Sequence, residues 1–278
     1  MTSISVIGSG YVGLVWACCM ADRGHQVVIS ERDREKLRLL NEGKLPFYEP
    51  CLEGLMSRAL AKARLSFTSE TCEAVANSEI SFIAVGTPSI RLGGMNLSQI
   101  KSASVDVGRA LRETKFYHIV VVRSSVTPGT TTNLIKPTLE RTSGKRVGRD
   151  FGLAVQPEFL REGSAIRDVL NPDRIVIGAC DKRAGNRLRR FYRAFYSHKV
   201  PPLLEVSPTC AEMIKLASNA FLAARVSFIN EIANICERLE DVDVVDVATG
   251  MGLDRRIGSA YFNACLLYTS DAADEEDS

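Results

Sequence analysis

Residues 3–13 read SISVIGSGYVG, and this stretch decides the fold of the chain. It begins with a β-branched run that is typical of a buried parallel strand, and the remainder is a complete G-x-G-x-x-G. Residues 14–23 then predict a helix capped by Gly24, and residues 26–30 predict a second strand. A strand, a glycine-rich turn, a helix and a second strand in this order predict the beginning of a dinucleotide-binding α/β unit.

The three glycines, and the acid after the second strand, each have a physical purpose. Gly8 permits the tight turn, Gly10 lets the backbone approach a pyrophosphate, and Gly13 lets the helix pack closely on the sheet. The helix N-terminus then offers free N–H groups and a partial positive charge to the phosphates. Glu31 can bond the ribose hydroxyls and repels the 2′-phosphate of NADP, so it favours NAD. Arg32 leaves NADP open, because an arginine can hold that phosphate.

Further short apolar runs continue the α/β pattern along the chain. Residues 80–85, 119–122, 151–155 and 174–178 predict strands, and helical stretches such as 97–111 separate several of them. Alternating units of this kind predict an N-terminal, Rossmann-like domain of class α/β, with a doubly wound parallel sheet.

The carboxyl ends of these strands are the expected functional edge, because ligands bind there in doubly wound sheets. This rule places Thr87, Ser125 and residues 156–158 at that edge. We expect the loop 89–95, which is rich in glycine and polar residues, to cover or border it.

A second region follows the sheet. Apolar residues at helical spacing predict one long helix over residues 209–239, and its length suggests a spine between domains or a dimer element. Lys215 and Asn219 lie four residues apart and therefore point from one face of this helix. We predict an NAD-binding domain over residues 1–205 and an incomplete central helical region over residues 206–264.

Composition narrows the function classes. The 278 residues are 45% hydrophobic and 24% charged with a net charge of +2, so charge gives no reason to expect a nucleic-acid or membrane partner. No apolar run has the length of a membrane span. The eight cysteines form no C-x-x-C pair, which favours reduced thiols and a cytoplasmic protein, and we predict no metal site.

Seven motifs, in a fixed order between residue 1 and about residue 264, resemble one family. They are residues 8–13, 47–50 (FYEP), 85–88 (VGTP), 123–130 (RSSVTPGT), 157–162 (PEFLRE), 211–215 (AEMIK) with Asn219, and 254–258 (DRRIG). Together they resemble the UDP-glucose/GDP-mannose dehydrogenases. This family oxidises a nucleotide sugar at C6 to the uronic acid with two NAD, a reaction of polysaccharide biosynthesis.

The resemblance implies which residues hold NAD. Glu31 and Lys36 would hold the adenosine side, and Thr87 and Ser125 would line the nicotinamide side. Ser125 departs from the threonine that is usual in its motif, although it keeps the hydroxyl. The implied cofactor-binding set is Gly8, Gly10, Tyr11, Val12, Gly13, Glu31, Lys36, Thr87, Ser125 and Glu162.

The resemblance also implies catalytic residues. Glu158 would act on the catalytic water or move a proton, and Glu162 would border both cofactor and sugar. Lys215 and Asn219 would face the reacting C6 oxygen, where an ammonium and an amide suit a developing alkoxide. Arg256 would bind the substrate across a subunit boundary in a homodimer formed through the central helix. The implied substrate-binding set is Glu158, Phe159, Leu160, Arg161, Glu162, Lys215, Asn219 and Arg256.

The end of the chain departs from the family's pattern. The family places its catalytic cysteine in a Gly-Gly-x-Cys-x-Pro-Lys-Asp stretch, a few residues beyond the position of Ala264. Here residues 265–278 read CLLYTSDAADEEDS, and Cys265 lacks that motif. We interpret residues 265–278 as a non-native tail, with the family's C-terminal domain missing. The chain is then a fragment that does not complete the oxidation.

UDP-glucose, oxidised to UDP-glucuronate, is the leading substrate because of the 254–258 motif with its Arg256. GDP-mannose stays as an alternative, since residues 121–124 and 150–152 resemble that branch. A non-catalytic NAD-binding protein is a second alternative. A third is another β-hydroxyacid-type dehydrogenase, against which the 157–162 motif argues.

Overall fold

The computed structural model describes residues 1–90 and 93–263. These residues divide into two compact units, Met1–Met213 and a second unit that begins at Ile214. Residues 91 and 92 of the predicted covering loop lie outside the described residues. The predicted tail over 265–278, with Cys265, also lies outside them.

The first unit is built on an eight-stranded sheet. The order across the sheet is β3-β2-β1-β4-β5-β6-β7-β8, which is the doubly wound arrangement. The strands are β1 (Ser3–Ile7), β2 (Gln26–Ser30), β3 (Leu65–Thr68), β4 (Ile80–Ile83), β5 (His118–Val122), β6 (Phe151–Val155), β7 (Ile175–Ala179) and β8 (Leu203–Val206).

The predicted doubly wound fold is confirmed, with one departure. The sequence predicts that the strand near residues 174–178 is parallel to its neighbours, and this is wrong. β7 pairs antiparallel with β6 through Val155 and Gly178, while β8 again lies parallel to β7. The chain between β6 and β7 contains the short helix Ala165–Leu170 and re-enters the sheet at the end where β6 stops, so the two strands run in opposite directions.

Helices accompany the strands. The predicted helix over 14–23 begins earlier, at Tyr11, and the predicted helix over 209–239 ends earlier, at Cys236. A π-helical turn, Thr131–Ile135, directly precedes α6. The helices are α1 (Tyr11–Asp22), α2 (Arg34–Asn41), α3 (Leu52–Ala61), α4 (Thr71–Ala76), α5 (Ser98–Glu113), α6 (Lys136–Ser143), α7 (Ala165–Leu170), α8 (Lys182–Phe195), α9 (Pro208–Cys236) and α10 (Val244–Gly252).

Register aligns the carboxyl ends of five strands. Ile7 at the end of β1 pairs with Ser30 of β2 and with Ile83 of β4. Ile83 in turn pairs with Val122 of β5, and Val122 pairs with Val155 of β6. The residues that follow these five strands therefore lie along one edge of the sheet.

Helix α1 lies very close to the sheet because glycines remove the side chains between them. Gly8 has φ +102°, and a Cβ on it would lie 2.6 Å from the carbonyl oxygen of Ala84. A Cβ on Gly13 would overlap the carbonyl oxygen of Gly8. Any larger residue at either position would push the helix away from the strands.

The same helix is buried on every side. Its residues from Gly13 to Ala21 are all buried, since α1 also packs against α3 and α7. Trp16 is 1% exposed, and its ring centroid lies 5.3 Å from that of Phe82 on β4. A helix that is apolar all round is typical of this central position in a core.

A buried polar chain crosses the sheet between β1, β4 and β5. The Ser5 hydroxyl lies 2.6 Å from that of Ser81, which lies 2.7 Å from Nε2 of His118. All three side chains are 0% exposed. Burial lowers the pKa of His118 from 6.5 to about 4, because the charged ring would lose its hydration.

The second unit has a small core of its own. Ile229 of α9, Ala248 of α10 and Phe262 pack together. The Arg225 guanidinium lies 4.1 Å from the centroid of the Phe262 ring and donates a hydrogen bond of 2.8 Å to the carbonyl oxygen of Gly258. Within the described residues of the chain, no helix has the length and apolarity to cross a membrane.

We predict that His118 makes stability depend on pH. Between pH 7 and pH 5 the unfolded ring gains a proton while the folded ring stays neutral, so the free energy of unfolding falls through this group by about 2 kcal/mol. His118→Asn removes this dependence, and His198→Asn, at an exposed position, retains it. Urea unfolding at pH 7 and pH 5 measures the free energy of unfolding of each variant. An equal change between the two pH values in both variants would contradict the prediction.

Candidate functional site

A cleft of about 500 Å³ lies at the aligned carboxyl ends of the strands. It belongs entirely to the first unit, and it is bordered by the residues after β1, β2, β4, β5 and β6. Nine residues that the sequence predicts for cofactor, substrate or catalysis line it: Gly8, Gly10, Tyr11, Val12, Glu31, Lys36, Thr87, Ser125 and Glu158.

The glycine-rich turn leaves room for a phosphate. A Cβ on Gly10 would meet no atom within 4 Å, so it would project into the cleft. Gly10 immediately precedes α1, whose first N–H groups have no partner within the helix. This open space at a helix N-terminus fits the pyrophosphate of a dinucleotide.

Glu31 lies at the tip of β2, and backbone contacts fix its carboxylate. Its Oε2 accepts a hydrogen bond of 2.9 Å from the Ser9 amide, and its Oε1 accepts one of 2.8 Å from the Asp33 amide. Asp33 in turn caps α2 by accepting from the amide of Lys36 at 3.1 Å. These contacts place an acid and a lysine at the end of the cleft where a ribose would lie.

Arg32, the residue that leaves NADP open, lines the cleft but is paired with two side chains of α5. Its guanidinium forms an ion pair with Asp106 and donates a 2.8 Å hydrogen bond to the Ser102 hydroxyl, both on α5. The arginine is therefore held by side chains of this protein. The carboxylate of Glu31 is therefore the group that favours the ribose of NAD over the 2′-phosphate of NADP.

Two loops meet at the other end of the cleft. Thr87, which is 2% exposed, donates a 2.6 Å hydrogen bond to the carbonyl oxygen of Ser125, and the Ser124 hydroxyl donates one of 2.7 Å to the carbonyl of Val85. Further along the second loop, the buried carboxylate of Glu212 accepts from the Gly129 amide at 2.6 Å. The first two bonds join the loops after β4 and β5, and the third joins the loop after β5 to the beginning of α9.

Glu158 follows β6 and is the acid held deepest in the cleft. It is 5% exposed, and its Oε2 accepts a 2.6 Å hydrogen bond from the amide of Leu160. The next residue, Phe159, has the Arg174 guanidinium 3.8 Å from its ring centroid. Arg161 pairs with Asp168 of α7 at 2.6 Å, so that guanidinium is engaged within the first unit.

Arg123 is a cleft residue for which the sequence predicts no role. It is 3% exposed, bonds to the side-chain oxygen of Gln156, and lies 3.9 Å from the centroid of the Trp16 ring. Among the described residues nothing accepts from its Nε, and burial lowers the pKa of its guanidinium. Its position after β5 was the available signal, but its burial beneath the cleft depends on tertiary packing.

Other predicted residues do not line the cleft. Gly13 lies beneath it, in the contact between α1 and Gly8, and Glu162 is exposed. Lys215 and Asn219 lie on α9 in the second unit, where Lys215 is 3% exposed. Arg256, also in that unit, is exposed and donates a 2.6 Å bond to Asp254. Across the described parts of the chain, no cluster of His, Cys, Asp or Glu could hold a metal ion.

A doubly wound sheet with a glycine-rich turn and an acid at the tip of β2 defines a dinucleotide-binding protein. The chain belongs to the UDP-glucose/GDP-mannose dehydrogenase family. Residues 2–196 match the family's NAD binding domain, and residues 209–270 match its central domain. The resemblance seen in the sequence is confirmed, and NAD is the cofactor of this domain.

Relatives of both substrate types are similar to this chain. The UDP-glucose 6-dehydrogenase AglM of Haloferax volcanii is 42% identical over 264 residues, and the GDP-mannose 6-dehydrogenase of Pseudomonas aeruginosa is 41% identical over 271 residues. Each alignment covers 95% of this chain and 61% of the relative. The chain therefore spans less than two thirds of the length of these proteins.

Solved structures agree with the fold. A UDP-glucose dehydrogenase from Pyrobaculum islandicum has a TM-score of 0.88 and 44% identity, covering 95% of this chain and 59% of the other. A ternary complex of the GDP-mannose dehydrogenase of Pseudomonas aeruginosa has a TM-score of 0.86 and 42% identity, covering 91% and 57%. The two similarities are too close to each other to separate the substrates.

We predict that alanine at Gly10 affects NAD binding, whereas alanine at Gly13 affects stability. Gly10→Ala leaves the melting temperature unchanged but weakens NAD binding at least about tenfold, because its methyl occupies the space for the phosphates. Gly13→Ala lowers the melting temperature, because its methyl separates α1 from the sheet. Thermal unfolding and calorimetric NAD titration test both variants. Tight NAD binding by Gly10→Ala would show that the phosphates lie elsewhere.

Proposed function

We propose that the protein is a nucleotide-sugar 6-dehydrogenase, which oxidises the C6 alcohol of a nucleotide sugar to the acid with NAD. The observation that carries this proposal is one cleft that contains both Glu31, at the ribose end, and the buried carboxylate of Glu158. The first acid suits a cofactor, and the second suits proton transfer beside it.

NAD is favoured over NADP by the contacts of two neighbouring residues. A 2′-phosphate would face the carboxylate of Glu31, which repels it. The cation that could offset this repulsion, Arg32, is bonded to Asp106 and Ser102. The site therefore supports selection of NAD over NADP, which carries the extra 2′-phosphate.

UDP-glucose is the substrate that we propose first, on the 254–258 motif with its Arg256. GDP-mannose is the second candidate, supported by residues 121–124 and 150–152 and by a relative of that type at 41% identity.

Roles for the remaining residues follow from their chemistry. When bound, NAD supplies the hydride acceptor. Glu158 would act on the catalytic water or move a proton, and Glu162 would border cofactor and sugar. Lys215 and Asn219 would donate hydrogen bonds to the oxygen that becomes negative as the hydride leaves. Arg256 would bind the substrate from a second subunit. A cytoplasmic location and a role in polysaccharide biosynthesis complete the proposal.

The described cysteines do not suit the thiolate chemistry that the second oxidation needs. Among the described residues, no cysteine lines the cleft. Burial raises the pKa of Cys18, of Cys19 and of Cys180, the last to about 11, so these thiols stay protonated near neutral pH. We propose that none of them is the nucleophile and that this chain alone does not complete the reaction.

We expect the purified chain to bind NAD more tightly than NADP but to give no steady release of two NADH per UDP-glucose. NADH absorbance with UDP-glucose and with GDP-mannose measures this. A longer protein can be expressed from the genomic locus read past codon 264. If it contains a Gly-Gly-x-Cys-x-Pro-Lys-Asp continuation, it should turn over one of the two sugars. Steady turnover by the present chain would contradict the role assigned to that cysteine, and failure of the longer protein with both sugars would contradict the function.

We also propose a homodimer formed through α9. Three large apolar side chains on this helix, seven residues apart, are exposed: Phe221 at 64%, Phe228 at 48% and Ile235 at 54%. Residues at this spacing lie on one face, and an exposed apolar face of this kind is typical of helix pairing.

The expected mass in solution is at least that of a dimer. Phe228→Glu should shift the chain to a monomer, because a carboxylate in the apolar face opposes pairing, whereas Ser227→Glu, beside it on the exposed surface, should not. Light scattering measures both masses. A monodisperse wild-type monomer would contradict the dimer.

A further inference from the structure

Glu49 is a buried carboxylate with three partners in two different parts of the first unit. It is 3% exposed and belongs to the 47–50 motif, to which the proposed function gives no role. Its Oε2 accepts a 2.6 Å hydrogen bond from the Tyr11 hydroxyl and one of 2.9 Å from the Gly163 amide. Its Oε1 accepts one of 2.8 Å from the Ala165 amide.

One partner belongs to the cofactor-binding turn. Tyr11 is the first residue of α1 and lines the cleft, next to the Gly10 position where the phosphates would bind. Its ring centroid lies 5.2 Å from that of Phe47, two residues before Glu49. Two contacts, one aromatic pair and one hydrogen bond, thus tie the 47–50 motif to the first turn of the cofactor helix.

The other two partners belong to the loop after β6. Gly163 directly follows the segment from Glu158 to Glu162, and Ala165 is the first residue of α7. Their amides point to one carboxylate, which fixes the end of this acidic loop. A buried carboxylate that accepts from two backbone N–H groups and a phenol has hydrogen-bond partners on both of its oxygens, and it holds all three donors in one arrangement.

The buried surroundings of Tyr11 keep this link intact. Burial, the hydrogen bond to Glu49 and the negative charge of Glu162 all raise the pKa of the Tyr11 phenol, so it stays protonated and continues to donate.

We propose that Glu49 is a positioning residue, which fixes the Glu158–Glu162 loop to the first turn of α1, so that NAD binding and the placement of that loop depend on each other. This proposal rests on the proposed function, because it takes NAD as the ligand of the cleft. Because coupling between two sites is reciprocal, an ordered loop strengthens NAD binding as much as NAD orders the loop.

The same unit offers a matched control away from the cleft. The Tyr117 hydroxyl donates a 2.7 Å hydrogen bond to Oδ1 of Asp181, which also accepts a 2.8 Å bond from the Ala184 amide at the beginning of α8. This is again a tyrosine, a carboxylate and a helix N-terminus. None of the three residues lines the cleft.

The experiment compares Tyr11→Phe and Glu49→Gln with Tyr117→Phe. Tyr11→Phe keeps the ring and cuts only the link, while Glu49→Gln leaves one acceptor oxygen where there were two. Hydrogen–deuterium exchange in peptides covering residues 159–170, with and without NAD, reports on the loop. Calorimetric titration gives the NAD affinity, and thermal unfolding separates a local change from a general loss of stability.

We expect Glu49→Gln to speed exchange in this segment. Both Tyr11→Phe and Glu49→Gln should weaken NAD binding by roughly tenfold, the size expected for a hydrogen bond to a charged group. NAD should slow exchange in the wild type and not in Tyr11→Phe. Tyr117→Phe should lose thermal stability to a similar degree and keep both the NAD affinity and the NAD-induced slowing.

Three outcomes would overturn the proposal. In the absence of NAD, exchange in the 159–170 peptides could be the same in Glu49→Gln and in the wild type. NAD could slow exchange equally in the wild type and in Tyr11→Phe, or in neither. All three variants could weaken NAD binding to the same extent, which is the pattern of general destabilisation. A wild-type chain that binds no NAD would instead contradict the proposed function, and exchange without NAD would then decide the role of Glu49.

Discussion

The contact between the backbone of Gly8, the helix residue Gly13 and the carbonyl of Ala84 is the constraint on which the rest of the first unit depends. It lets the beginning of α1 approach the backbone that follows β1 and β4, with no side chain from Gly8 or Gly13 in between. Only at this distance can α1 direct its first N–H groups into the cleft while Trp16 fills the core beneath. The close approach therefore couples packing to function, since the same two glycines determine both.

The sequence predicts the parts of the fold in which local pattern and tertiary environment agree. The sequence predicts strands at β1, β2, β4, β5 and β6, which are mostly buried and rich in apolar residues, but it predicts none at β3 or β8. β3 (LSFT) and β8 (LLEV) are only four residues long, and β8 has no buried residue, so neither has a clear periodicity. The sequence does not predict the antiparallel direction of β7, because strand direction depends on how the chain returns to the sheet, which local composition does not encode.

Site residues follow the same division. The strand-end rule and the glycine motif are local, and they indicated Glu31, Thr87 and Ser125 at the edge where the structure places them. The contacts of Arg32 with Asp106 and of Arg123 with Trp16 join residues far apart in sequence, so spacing alone carries no signal for them. Glu212 and Glu49 share this property: each is a buried acid that accepts from loop amides more than eighty residues away.

The antiparallel pairing of β6 and β7 has a consequence for the acidic segment that begins at Glu158. Because β7 begins at the edge where β6 ends, the chain between Val155 and Ile175 leaves and re-enters the sheet on the same side. It is a closed loop of modest length, with α7 as its only helix, and its ends are held by the ladder. Formation of the sheet therefore bears most of the entropy cost of closing this loop, and only the cost of ordering its interior between Glu158 and Glu162 remains for NAD binding.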